Sequence, residues 1–117
     1  MFVMRAARGN KHNAKKVKAD GYTFDSIGEY ERYLELKILL QAGAIPYLKV
    51  HPIYPVVING INSGTSIELD FEYTENGKLV IAEDFKGYYT AESKRMHKIF
   101  RALRPDIEFR LTRKKKR

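Results

Sequence analysis

At 117 residues, with 44% hydrophobic content and no cysteine, the chain is long enough for one hydrophobic core and excludes disulfide frameworks and thiolate zinc sites. No apolar run approaches a membrane span, and Met1-Phe2-Val3-Met4 is too short for a signal-peptide core, so a soluble cytoplasmic protein is expected. The net charge of +8 is concentrated at the two ends. Arg5, Arg8, Lys11, Lys15, Lys16 and Lys18 stand against Asp20 alone in residues 1–20, and residues 113–117 are all Lys or Arg. The expected layout is a basic N-terminal arm (1–20), one domain (21–112) and a basic tail (113–117). Basic ends of this kind track a phosphate backbone and make binding salt-dependent.

Residues 1–20 lack periodicity and read as an arm that orders on binding. Ser26-Ile27-Gly28-Glu29 is a capping box opening a helix, with Ser26 as N-cap. Ile27, Tyr30, Leu34 and Ile38 form its expected apolar line, widened by Tyr33, Leu36 and Leu40. Gly43 and Pro46 predict a stop near Ala42. Residues 47–58 read as an irregular or edge strand broken by Pro52 and Pro55, and 59–65 as a Gly/Asn/Ser loop. Residues 66–74 alternate, with Ile67, Leu69, Phe71 and Tyr73 opposite Glu68, Asp70 and Glu72. Asn76-Gly77 signals a hairpin to a second alternating strand, 78–86. Thr90 caps a second helix running to about Leu103, and a last strand covers 107–111. The predicted order is helix-strand-strand-strand-helix-strand: an α/β domain with a mixed central sheet flanked by helices.

Asp70 and Asp84-Phe85-Lys86 lie on neighbouring predicted strands. Two carboxylates that hold a divalent cation, beside a lysine that stabilises phosphate charge, are what metal-assisted phosphodiester hydrolysis requires. A two-residue loop at Asn76-Gly77 would point Asp70 and Asp84 to opposite faces. A three-residue loop, Glu75-Asn76-Gly77, sets Asp70 opposite Ala82 and diagonal to Asp84 on one face, with Lys86 on that face too. The three-residue loop is the expectation. Two ionised carboxylates about 4 Å apart repel by roughly 4 kcal/mol at an effective dielectric of 20, a cost that a cation removes. A solvated acidic strand face is the plain alternative for this pair. Glu29 is a third carboxylate that points partly inward, although a capping-box role alone accounts for it.

His12, His51 and His97 are isolated in the sequence. His97 is expected on the surface, and His51, at the start of the proline-broken strand, is not expected to be catalytic. No Gly-rich phosphate loop, nucleophile elbow or dinucleotide fingerprint is present. Lys94, Arg95, Lys98 and Arg101 form a basic face of the second helix that suits a phosphate backbone.

Several segments carry a resemblance: Lys11-His12-Asn13-Ala14-Lys15-Lys16, Asp20-Gly21, Phe24-Asp25-Ser26, Glu29, Arg32-Tyr33 and Ala42-Gly43-Ala44-Ile45. To these add Asp70-Phe71, Glu83-Asp84-Phe85-Lys86-Gly87 and Lys94. The chain resembles the PD-(D/E)XK nuclease superfamily, and within it a group of small phage- and prophage-borne proteins labelled a domain of unknown function. Leu69 stands where the proline of the superfamily name would be, and His51 stands where relatives carry Gln.

The resemblance implies a restriction-endonuclease-like core and a metal-dependent DNA endonuclease. Glu29, Asp70 and Asp84 would ligate Mg²⁺ or Mn²⁺, the Phe85 carbonyl would add a ligand, and Lys86 would be the catalytic lysine. Lys11, Lys15, Lys16, Lys94, Arg95 and Lys98 would contact DNA. The superfamily hosts restriction enzymes, Holliday-junction resolvases, repair nucleases and tRNA-splicing enzymes, so the fold leaves the substrate open. Small size, basic ends and a phage-like setting make a structure-specific, Holliday-junction-resolvase-like enzyme of branched DNA the first expectation, acting as a homodimer in the host cytoplasm. Two other readings compete: a non-catalytic DNA- or RNA-binding protein, and an RNA-directed nuclease.

Overall fold

The structure, a computed structural model, describes residues 2–4, 15–75 and 79–113. Lys11, the Asn76-Gly77 turn and residues 114–117 of the tail lie outside the described residues. In chain order the elements are β1 (Phe2–Met4), β2 (Val17–Ala19), β3 (Tyr22–Phe24), α1 (Ile27–Gln41), β4 (Leu48–Val50) and β5 (Ile53–Ile58). There follow β6 (Ile61–Glu68), β7 (Phe71–Thr74), β8 (Val80–Lys86), α2 (Ala91–Leu103) and β9 (Glu108–Arg113). The domain is α/β, with two helices and a four-stranded mixed sheet in the order β4-β7-β8-β9. The first three strands of that sheet pair antiparallel, and β8 and β9, joined through α2, pair parallel.

Both helices start and stop where local chemistry directs. The Ser26 hydroxyl accepts the Glu29 N–H at 3.1 Å, and Thr90 does the same for Ser93 at 3.0 Å. Helix α1 ends at Ala42 with Gly43 left-handed (φ 77°), and α2 ends just ahead of Pro105. The buried face of α1 differs from expectation. Glu29, Tyr33 and Leu36 are buried, whereas Ile27 and Ile38 are 51% and 63% exposed and Leu34 is also exposed. The rotation follows Arg32, whose guanidinium grips Glu83 on β8 at 2.6 and 2.8 Å. Apolar residues occupy both stripes of this helix, so the ion pair rather than hydrophobicity selects which stripe turns inward.

The strands also depart from expectation. Residues of the expected arm are built into pairs: β1 runs parallel to β6, and β2 forms a hairpin with β3 across Asp20-Gly21. The expected loop at 59–65 is a tight turn at Asn59-Gly60, both at positive φ, leading directly into β6. Pro55 sits on β5, at the edge of the sheet β1-β6-β5, as its missing N–H requires. The expected single strand over 66–74 is broken at Leu69-Asp70 into β6 and β7.

That break divides the core. Ile67 and Leu69 pack with Tyr54, Val56, Met96 and Phe100, on the side of α2. Phe71 and Tyr73 pack with Phe24, Tyr33, Leu36 and Ile81, on the side of α1. Leu69 and Phe71 would share a face of a regular strand, but here they serve different clusters, with Asp70 at the seam.

Glu83 is fully buried on the α1 side, where it accepts from Arg32, the Tyr73 hydroxyl (2.7 Å) and the Thr112 hydroxyl (3.0 Å). Removing one partner of such a pair strands a buried charge. Arg32→Ala is therefore expected to cost about 3–5 kcal/mol in urea unfolding. A loss below about 1 kcal/mol, the value of an exposed pair, would show that Glu83 is not held as described.

Candidate metal centre

The hairpin register decides which acidic residues meet. Thr74 pairs with Val80 and Phe71 with Glu83, so the connection is longer than either expected loop. Continued by one residue, this register sets Asp70 opposite Asp84, on one face and directly across rather than diagonal. The Phe85 N–H donates to Asp70 Oδ2 at 2.7 Å, and the Asp70 N–H donates to the Glu83 carbonyl at 3.2 Å. Asp70 is thus fixed at both its backbone and its side chain.

Glu29 reaches the same place from the first turn of α1. Its Oε1 accepts the Asp25 N–H at 2.9 Å, one residue before the N-cap, so the reciprocal half of the expected capping box is displaced. Gly28 permits the approach: a Cβ there would stand 2.5 Å from Phe85 Cζ, and only a bare Cα lets the helix settle on β8.

His51 completes the group. It sits between β4 and β5 with φ 56°, a left-handed conformation that costs energy in a residue with a side chain. Its N–H donates to the Asp70 carbonyl at 2.8 Å, and its Nε2 lies 3.8 Å from Glu29 Oε1. Ligand atoms of Glu29, His51 and Asp70 all lie within 4.8 Å of one another. Oxygen ligands about 2.1 Å from a small divalent ion stand up to roughly 4.2 Å apart, so this buried group could hold a metal ion with slight closure.

Asp84 adjoins this trio without belonging to it. Its Oδ2 lies 2.6 Å from His97 Nε2 and 3.2 Å from Lys86 Nζ. Burial pushes the Asp84 carboxyl up, but the His97 hydrogen bond and the Lys86 charge outweigh it and hold the group below the usual carboxylate range. Asp70 goes the other way. Burial, then the nearby charges of Asp84 and Glu29, raise it well above that range. Without a cation the two neighbouring carboxyls are pushed in opposite directions, Asp84 toward the ionised form and Asp70 toward the protonated one. This is the signature of a negative site with unmatched charge.

His97, expected at the surface, is fully buried. In its neutral form Nε2–H donates to the ionised Asp84, and Nδ1 accepts the Tyr89 hydroxyl at 2.8 Å. Its place in the stripe Ser93-Met96-His97-Phe100, the buried face of α2, is the sequence signal that would have found it. His51 carried no such signal, since only the chain reversal before Pro52 brings it to Glu29.

A family model described as "Protein of unknown function (DUF1064)" matches residues 9–117. The chain belongs to that family. No curated protein matches the chain, and no solved structure does. The DUF1064 match takes in every residue of the centre, from Glu29 to His97.

The expected DNA-contacting residues take varied positions. Lys15, Lys16, Arg95 and Lys98 are exposed, and Lys94 is exposed with its ammonium 5.5 Å over the Tyr89 ring. Lys16 lines an open cleft of about 370 Å³ together with Tyr22, Thr23, Asp25, His51 and Glu68. The expected Phe85 ligand is represented here by its N–H bond to Asp70 and its ring against Gly28.

The raised Asp70 carboxyl sets the sign of a pH effect. Its contribution to stability is complete below the ordinary carboxylate range and is lost as pH rises through its elevated folded value. The metal-free protein should therefore lose stability with rising pH, and Mn²⁺ in place of EDTA should restore it. Asp70→Asn should raise the metal-free melting midpoint by about 4 °C, flatten the pH slope and abolish the metal response. Thermal melts across pH, with and without Mn²⁺, measure all three. An undiminished metal response in the variant would remove Asp70 from the centre.

Proposed function

We propose that this DUF1064 protein is a divalent-metal-dependent DNA endonuclease of PD-(D/E)XK type, specific for branched or otherwise structured DNA and acting as a homodimer. The observation that carries the reading is the placement of the Lys86 ammonium on Asp84, beside the buried Glu29–His51–Asp70 group. Lys86 also serves as a counter-charge for Asp84, but a counter-charge alone does not explain a left-handed histidine brought to Glu29 and Asp70.

Glu29, His51 and Asp70 would hold the ion, with Asp84 next to Asp70. A bound divalent cation supplies polarisation of a phosphoryl oxygen and a more acidic water. His51 adds an imidazole to the oxygen donors, which suits Mn²⁺ better than Mg²⁺. The chain's own groups do the rest. Asp84, kept ionised by His97 and Lys86, is positioned to accept a proton from an attacking water. Lys86 places a positive charge where phosphate charge grows. The exposed Lys94, Arg95 and Lys98 lie on the helix that follows β8 directly and supply sequence-independent phosphate contacts. The resolvase-like specificity rests on the small size, the basic ends and the phage-like setting, and the second copy needed to cut two strands rests on analogy with the resemblance.

The test is cleavage of a labelled four-way junction beside linear duplex and supercoiled plasmid, in Mg²⁺, Mn²⁺ or EDTA. Metal-dependent cutting, at least as fast with Mn²⁺ as with Mg²⁺, is expected. Lys86→Ala should reduce it by about 10²–10³, the scale for removing one charge-stabilising group. Paired symmetric cuts in the junction support the resolvase form, and plasmid nicking without junction preference keeps the nuclease and drops that form. Tight DNA binding with no cleavage under any metal would make the protein a binding module.

A further inference from the structure

An open cleft adjoins the candidate metal group. Glu29 and Asp70 are buried, and His51 is the member of the trio that lines the open cleft. The far wall of the cleft is the β2–β3 hairpin, which contributes Tyr22 and Thr23, with Lys16 just ahead of it. A volume of about 370 Å³ is at the small end of sites for single ligands and far below a duplex segment.

The lining has a mixed chemistry that points to a nucleotide rather than to bare phosphate. Asp25 and Glu68 repel a phosphate but accept hydrogen bonds from the amino groups on the edge of a base. On the Watson–Crick edge these groups are engaged in a paired duplex and free in an unpaired strand. Tyr22 is 37% exposed, yet its ring is steadied by edge contacts to Tyr33 and His51 at centroid distances of 6.0 and 6.3 Å. A partly open aromatic ring held firm is a stacking platform for any base. Lys16 supplies the positive charge in the cleft, suited to the backbone of the same nucleotide.

We infer that this cleft binds one unpaired nucleotide of a DNA strand, its base against Tyr22 and its phosphate directed past His51 toward Glu29 and Asp70. The inference rests on the nuclease reading for the use of the site, and it narrows the substrate to DNA with a single-stranded segment. A continuous duplex cannot enter.

Binding is measured by fluorescence anisotropy of a labelled single strand and of the same strand in a blunt duplex. Salt is matched, Ca²⁺ is the only divalent cation, and the oligonucleotides are checked to be intact afterwards. The single strand is expected to bind about 10-fold tighter or more. Tyr22→Leu should lower single-strand affinity about 10-fold and leave the duplex unchanged, the scale of one lost stacking contact. Because Tyr22 packs on the hairpin, Tyr22→Trp is the companion variant. It keeps a stacking ring and should retain single-strand binding, with melting curves confirming that both variants fold. Equal affinity for the two forms, or a Tyr22→Leu loss shared equally by both, overturns the inference. Single-strand preference without cleavage would sink the nuclease reading and leave the inference standing. Cleavage without single-strand preference would do the reverse.

Discussion

Burying carboxylates is the constraint around which this small domain is organised. Glu29, Asp70, Glu72, Glu83 and Asp84 are all buried, in a chain with one core divided by a strand break. An isolated buried carboxylate costs several kcal/mol, so each must be matched or neutralised. Glu83 is matched by Arg32, Tyr73 and Thr112, and Glu72 by the Tyr47 and Tyr54 hydroxyls at 2.9 and 2.8 Å with Lys49 at 3.6 Å. Asp84 has His97 and Lys86. Asp70, buried and set between Glu29 and Asp84, has its carboxyl pushed well above the ordinary range. The matched acids fasten helices and strands together. The mismatched one sits at the seam, within the group of ligand atoms that could hold a cation.

The seam also explains how one site draws on both layers. Along β8, Ile81, Glu83 and Phe85 face α1, while Ala82, Asp84 and Lys86 face α2, as strand alternation requires. Glu29 comes from the α1 side, and Asp84 with its His97 support from the α2 side. They converge only because β6 and β7 part at Leu69-Asp70 and leave Asp70 between them. A continuous strand over 66–74 would have kept the two groups on opposite sides of a closed sheet.

What the sequence disclosed follows the range of the interactions involved. Both helices were legible to the residue at their caps, because a Ser or Thr and the N–H three residues on are local. The shared face of Asp70, Asp84 and Lys86 followed only from requiring the carboxylates to cooperate, since a two-residue loop would have separated them; it holds because side-chain parity survives an even change of register. The register itself was not legible, because the loop after Thr74 is set by pairing over its whole length and not by Asn76-Gly77 alone. Asn59-Gly60 is an equally good turn signal, but residues 61–65 lack the apolar alternation that would mark a strand beyond it. The inward face of α1 was hidden by apolar residues on both stripes, and the Arg32–Glu83 pair that decides it spans 51 residues of sequence. His51 enters the centre by a left-handed turn that no periodicity announces.

The β2–β3 hairpin, whose first strand falls within the expected basic arm, is held by interactions of the same distant kind. Asp20, at its tip, accepts the Tyr33 hydroxyl at 2.6 Å and the Lys37 ammonium at 2.8 Å, both from α1. Lys37 and Asp20 are exposed enough that the ion pair alone contributes little. The Tyr33 hydroxyl and the packing of Phe24 against Tyr33, centroids 4.8 Å apart, carry the attachment. The wall of the cleft is therefore mounted on the same helix that delivers Glu29. A shift of α1 would move Glu29 and the cleft wall together, so the spacing between that wall and the Glu29 carboxylate is set by one rigid element rather than by two that must agree.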